Sequence, residues 1–312
     1  MATEDFFERL NESGQGPVYV KRMVREWHYF SNELAITGFS KRTIEAYTHC
    51  LEEYFSTIKY CGMLKTPSYA HIKMFLKYKA DRGVASSTLN VYLCAIKFFY
   101  KRVAKSKRKI RVSFAKKVKR LPVVLSKNEI LKCIEVTKNP KHKLIISLAY
   151  GAGLRVSEVT KLQLCDLDFE RKLIHVRNAK GGRDRFTILP DKLLIEIADI
   201  VRWKCAGVNS RNRMTYLFES RRGGKLSVAT LQKIFKKSLE NSGVMKNASF
   251  HSLRHSFATH LLESGVSISY IQKFLGHKDL RTTLIYTKVT ESALCGVKSP
   301  FGFLMTWCFF WM

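Results

Sequence analysis

Acidic residues are in short supply in this chain. Its 312 residues hold 25 Asp and Glu against 55 Lys and Arg, a formal charge of +30. So large a surplus favours a polyanionic partner, most simply a nucleic acid. Charge alone would also suit a ribosomal or chromatin protein. No apolar run is long enough to span a bilayer, so a membrane helix is not expected. Met1 to Gly16 carries Glu4, Asp5, Glu8 and Glu12 and does not read as a secretory leader. The eight cysteines, at 50, 61, 94, 133, 165, 205, 295 and 308, include no CxxC pair and no Cys/His cluster of zinc-finger spacing. They read as free thiols in a reducing cytoplasm. A GxxxxGKS nucleotide loop is missing, as is a carboxylate cluster arguing for two metal ions. The expectation is therefore chemistry without metal or cofactor. Internal repeats are absent too.

What is present is a hydrophobic share of 46%, enough for a globular chain of two cores. Residues 17–105 read as a small helical domain. Ser40 precedes Lys41-Arg42, and then Ile44, Tyr47, Leu51, Tyr54, Phe55 and Ile58 recur at helical spacing. From Thr88, the residues Leu89, Tyr92, Leu93, Ile96, Phe99 and Tyr100 share another helix side. That spacing makes these aromatics core rather than base-stacking groups. Residues 106–120 read as a basic linker. Of the twenty residues Lys101 to Arg120, eleven are Lys or Arg and none is acidic. Such a stretch stays extended unless neutralised, and it suits a strap along phosphates. The cations taken as its DNA contacts are Lys107, Arg108, Lys109, Lys116, Lys117, Lys119 and Arg120, with Lys41 and Arg42 added from the first domain.

A second domain is expected over 121–300, mixed α/β. Ser126 and Glu129 have capping-box spacing. Helices are expected at 127–137, 141–151, 156–163, 191–203, 227–239, 251–264, 268–275 and 280–287. Between Leu167 and Leu189, β-branched and apolar residues flank Lys180-Gly181-Gly182, which predicts strands around a tight turn. The fold class is thus mainly α with a small β-sheet. The ending, Phe301 to Met312, reads FGFLMTWCFFWM without a charge. It suits either a segment filling a partner's groove or an altered reading frame or truncation product, and the latter is favoured because exposed apolar runs aggregate.

Six residues of the second domain carry chemistry. Arg155 follows a glycine break at a helix start and offers a planar fork for two phosphate oxygens. Glu158, one turn on, either orients it or is a surface charge. Lys180 would bring a flexible ammonium over a phosphate. His251 and Arg254 stand three apart on one helix face and reach one target together. His255 and His260 read as structural or surface residues. His277 follows a glycine stop, and Tyr286 lies nine residues further on. Together these describe a pocket for one phosphodiester with a nucleophile beside it.

The stretches HSLRHSFATHLLESG and LGHKDLRTTLIYTKV, over 251–289, resemble the tyrosine recombinases, or phage integrases. The resemblance runs from about residue 17 to about residue 300. It implies a helical core-binding domain ahead of a catalytic domain, clamped on double-stranded DNA. It implies Arg155, Lys180, His251, Arg254 and His277 as catalytic groups and Tyr286 as the nucleophile. A 3′-phosphotyrosyl link would form without ATP or metal. His251 is the expected proton acceptor, and the resemblance gives Lys180 as the acid for the leaving 5′ oxygen. Strand exchange needs four sites, so it also implies a tetramer on DNA. The architecture is closest to the Xer type, which resolves chromosome or plasmid dimers. A viral or mobile-element integrase is the alternative, and a type IB-like topoisomerase is a related one. A non-catalytic DNA binder and an RNA-binding protein are readings of a different class.

Overall fold

The computed structural model describes residues 29–58, 69–107, 109–116, 121–179, 183–206 and 215–288. The chain divides into two compact units, Met1–Lys119 and Arg120–Met312.

The first unit is helical. Residues 29–36 form α1, Lys41–Ile58 α2, Tyr69–Asp81 α3 and Ser86–Phe98 α4, which runs on into a wider turn over Phe99–Val103. Ser40 starts α2 as expected, its hydroxyl accepting from the Thr43 N–H at 3.3 Å. The aromatics of α2 and α4 are core. Tyr54, Phe75, Leu93, Ile96 and Tyr100 are all buried, and rings meet edge to face, as Tyr54 and Phe75 do at 5.2 Å. Glu53 is held there by the Tyr92 hydroxyl and by Lys79, the latter at 3.0 Å.

The described part of the basic stretch is docked rather than free. Its residues alternate. Val112 is buried and Ile110 packs on the first core, while Lys109 and Arg111 face outward. Side chains of α3 and α4 hold its backbone. Asn90 exchanges two hydrogen bonds with Ala115, at 2.8 and 3.0 Å. Lys97 donates to the Val112 carbonyl at 2.9 Å, and the Tyr69 hydroxyl donates to that of Arg111 at 3.1 Å. Period-two alternation explains this: an extended strip with one apolar edge buries it and leaves its cations in water. Asn90→Ala is expected to speed amide exchange over 112–115 and to cost about 1–3 kcal/mol of first-unit stability, since two partners lose their bonds. Hydrogen exchange with denaturant titration measures both.

The second unit opens with α5, Lys127–Glu135, capped reciprocally by Ser126 and Glu129 at 3.2 and 2.7 Å. Pro140–Gly151 is α6, and Val156–Val159 is α7. The helix expected over 156–163 is thus one turn. Its continuation is diverted because Leu162 and Leu164 pair their backbones with Leu217 and Thr215, at 2.8 and 3.0 Å. Next come β1, Leu167–Asp168, β2, Leu173–Ala179, and β3, Arg183–Ile188, an antiparallel sheet in that order. Ile174 faces Thr187 and Val176 faces Arg185, all four buried, so this sheet side lies on the core. Further helices follow: α8, Leu194–Ala206; α9, Val228–Asn241; α10, Phe250–Glu263; α11, Ile268–Leu275; and α12, Leu280–Thr283. The helix expected over 280–287 breaks. β-Branched Thr282, Thr283 and Ile285 weaken it, and Tyr286–Lys288 form a separate 3₁₀ turn.

Helix α10 is the axis of this unit. Nine of its 14 residues are buried, including Arg254, Ser256, Thr259 and His260. Two of these polar groups are tied: Ser256 accepts from the Leu125 N–H at 2.9 Å, and His260 meets the Tyr150 hydroxyl at 2.8 Å. Among the described residues no helix is long and apolar enough to cross a membrane. Cys50, Cys94, Cys133 and Cys165 are free thiols.

Candidate active site

One carboxylate organises the site. Glu158, on α7, accepts from the backbone N–H of Arg155 at 2.7 Å and from its guanidinium at 2.8 Å. The Arg185 guanidinium, from β3, reaches the same carboxylate at 2.9 Å, and that of Arg254, from α10, stands 3.8 Å away. All four are buried or nearly so; the Arg254 side chain is 1% exposed. Three guanidiniums against one carboxylate leave two positive charges uncompensated. Buried charge of this kind is costly unless a partner of opposite sign arrives.

Helix α11 fixes two of the arginines from the other side. Its last carbonyl, on Leu275, accepts from Arg254 and from Arg155, the latter at 3.5 Å. A helix C-terminus is electronegative and suits cations. Gly276 ends the helix with φ of 62°; a Cβ there would lie 2.6 Å from the Arg185 side chain. Gly153 has φ of 60°, and a Cβ on it would lie 2.3 Å from the Phe257 ring. Its carbonyl takes a further bond from Arg254 at 2.7 Å. Both positions need glycine for conformation and for space. Arg254 has five donors, and the bonds to Gly153, Leu275 and His277 leave some over for a ligand.

His277 follows directly. Its Nε2 lies 3.4 Å from the Arg254 guanidinium and its Nδ1 3.0 Å from the Thr283 hydroxyl. Guanidinium cannot accept, so Nε2 carries the lone pair and Nδ1–H donates to Thr283. Burial, then Arg254, Arg155 and Arg185, push this imidazole down to about 3. It is therefore neutral. To donate a hydrogen bond to a phosphate it must swap tautomers, which a rotating Thr283 hydroxyl permits.

The ring of Tyr286 stacks near that of His277, centroids 6.4 Å apart and 14° from parallel. The tyrosine is 3% exposed. Burial raises its phenol above the ordinary value, while Arg254 and Arg155 pull the other way. Its hydroxyl meets Nδ1 of His255 at 3.1 Å. His255 in turn meets the His251 ring edge-on at 4.5 Å. Burial, with His251 and Arg254 beside it, brings His255 down to about 4. His251 has an exposed edge, yet desolvation of the rest of its ring, then Arg254 and Arg155, also lowers it.

The structure thus brings together Arg155, Arg254, His277 and Tyr286, with His251 on the same helix as Arg254. Lys180 lies outside the described residues, as do Arg108, Lys117, Lys119, Arg120 and the ending 301–312. Lys41, Arg42, Lys107, Lys109 and Lys116 are exposed on the first unit. Of the two readings of Glu158, the structure bears out the one in which it orients Arg155. Two things differ from the sequence reading. His255 is bonded to Tyr286 rather than to the general structure, whereas His260 is structural. Arg185 went unnoticed because the apolar Phe186 beside it suggested the opposite strand face. Phe186 is 55% exposed and Arg185 7%. Among the described residues no group of three His, Cys, Asp or Glu side chains is placed to hold a metal ion.

Known proteins share this arrangement of elements. The phage integrase family matches residues 123–293, and the N-terminal SAM-like domain of phage integrases matches residues 28–110. This chain belongs to the phage integrase family. The tyrosine recombinase XerA of Pyrococcus horikoshii is 37% identical over 268 residues, covering 85% of this chain and 89% of the relative. An integrase/recombinase from Escherichia coli is 30% identical over 329 residues, covering 93% and 96%. Among solved structures, XerH in a post-cleavage complex with palindromic difH superposes with a TM-score of 0.67 at 22% identity, covering 80% of this chain and 77% of that one. That likeness concerns the fold. The chain is a site-specific tyrosine recombinase.

Two outcomes follow for this recombinase. Glu158→Gln removes the counter-charge of the buried Arg185 and Arg254 and the half-buried Arg155; unfolding titrations are expected to show a loss of about 3–5 kcal/mol, the usual cost of breaking a buried ion pair. The imidazoles of His255 and His277, held near 4 and 3, take up protons on unfolding below the ordinary value of 6.5. The unfolded state then binds more protons, so stability is complete above pH 6.5 and falls as pH drops toward 3. Denaturant midpoints stepped through that range measure the slope.

Proposed function

We propose that this recombinase cuts one strand of duplex DNA by attack of Tyr286 on a phosphodiester held by Arg155 and Arg254. The observation that carries this reading is the Tyr286 hydroxyl buried within the field of two arginines that share one carboxylate. In-line attack places growing negative charge on the non-bridging oxygens. Fixed cations answer that charge without reorganising, and one such donor is worth about 2.7–4 kcal/mol in other enzymes. His277 adds a hydrogen bond from its Nε2 tautomer, and His251 borders the same pocket. Lys180, assigned on the resemblance, protonates the leaving 5′ oxygen. The bond between tyrosine and the 3′ phosphate conserves the phosphodiester energy, so religation needs no nucleotide.

The exposed Lys41, Arg42, Lys107, Lys109 and Lys116 of the first unit would contact DNA phosphates and add affinity without reading bases. Strand exchange between two duplexes takes four tyrosines, hence a tetramer on DNA, in the cytoplasm. An Xer-type role in dimer resolution is favoured over mobile-element integration. XerA of Pyrococcus horikoshii, at 37%, is nearer in identity than the Escherichia coli integrase/recombinase, at 30%.

Tyr286→Phe is expected to bind a nicked target as well as the unchanged protein and to form no covalent adduct. Retained cleavage would contradict the assignment. Replacing Lys107, Lys109 and Lys116 together by Gln is expected to weaken binding to all sequences alike. It should also flatten the log–log salt dependence by about 0.9 for each phosphate no longer neutralised, read from binding isotherms at stepped salt.

A further inference from the structure

The phenol of Tyr286 is buried and protonated, so the attacking oxygen must shed a proton as it bonds to phosphorus. A hydroxyl this deep cannot give it to bulk water. A proton acceptor in hydrogen-bond reach is Nδ1 of His255, at 3.1 Å, with the two ring centroids 5.7 Å apart. His251 meets His255 edge-on at 4.5 Å and presents an exposed edge to solvent. The spacing on α10 is the cause. His251 and His255 are four apart and stack along one stripe, and Arg254 beside them turns into the guanidinium cluster.

We propose that His255, rather than His251, is the catalytic base that takes the proton from Tyr286. The inference rests on the reading of Tyr286 as nucleophile. The Tyr286 oxygen forms a bond to phosphorus while the bond from phosphorus to the 5′ oxygen breaks. The phenolic proton passes to Nδ1 of His255, leaving an imidazolium. The electron pair of the broken bond stays on the 5′ oxygen, which takes a proton from the acid assigned to Lys180. In religation the 5′ hydroxyl attacks phosphorus and gives its proton back to the amine assigned to Lys180, while the imidazolium returns its proton to the departing tyrosine oxygen.

The surroundings make this base conditional. Burial, with His251 and Arg254 beside it, disfavours a charged ring before DNA binds. A phosphodiester seated on the arginines brings negative charge, and its transition state brings more. The imidazolium is then stabilised at the moment when it forms. Tyr286 stays protonated and unreactive until DNA occupies the cluster.

The test is single-turnover cleavage of a nicked target by the full-length chain. His255→Phe keeps the ring and removes the lone pair. His255→Gln keeps a polar partner for Tyr286 that accepts no proton. Both are expected to bind DNA normally and to form adduct about 10²–10⁴-fold more slowly, the usual contribution of a general base. A fluorinated tyrosine at position 286, whose phenol is largely ionised at neutral pH, is then expected to restore either variant to within a few-fold of the parent. Unchanged rates would overturn the proposal. Faster cleavage would also overturn it, by showing that His255 merely parks the tyrosine. Loss without rescue would assign His255 a structural role. If the unsubstituted chain forms no adduct on Tyr286, the reading of the nucleophile itself fails.

Discussion

The carboxylate of Glu158 is the constraint on which the rest of the second unit depends. It draws guanidiniums from Arg155 at the start of α7, from β3 and from α10 to one point, and no single element could do so. The sheet is turned so that Arg185 faces inward, and α10 is buried almost all round so that Arg254 can reach the cluster. The one-turn helix α7 is enough, because its task is to hold Glu158 three residues after Arg155. The C-terminal carbonyl of α11 closes the arrangement by binding two of the same arginines.

Charge balance gives the cluster its chemical direction. Two uncompensated positive charges are a poor resting state and a good host for a phosphoryl group whose charge grows during reaction. Arg185 shows the same tension, since its Nε and Nη1 are buried without a hydrogen-bond partner among the described residues. The cations also act on their neighbours. Together with burial, which is the larger cause, they keep His277 and His255 uncharged, so these rings offer lone pairs and directed N–H groups rather than further positive charge. Desolvation overrides the arginines at Tyr286, which keeps its proton.

Much of this was readable in the sequence because the spacing was local. Ser126 and Glu129 cap as their separation says, and the aromatic stripes of α2 and α4 are buried as their period says. The i, i+3 pair on α10 and the glycine stop before His277 placed groups that do lie together. What escaped was set by tertiary context. Arg185 lies on the buried face of β3 because a distant carboxylate compensates it, so polarity read along the strand points the wrong way. The helix after Arg155 stops early because backbone around 215–217 pairs with it across a long sequence gap. His255 looked ordinary since its partner, Tyr286, is 31 residues away. The basic stretch read by charge as an extended linker suited to phosphates, while its small apolar alternation decided the docking of 109–116 on Asn90, Lys97 and Tyr69.

The most direct test of the central claim is a structure of the full chain on a cleaved duplex with vanadate in place of the scissile phosphate. The account predicts vanadate oxygens bonded to Arg155 and Arg254, the Tyr286 oxygen at an apical position, and Glu158 still holding the arginines from behind. A vanadate site with Tyr286 out of reach, in the same subunit and in every neighbouring one, would contradict it.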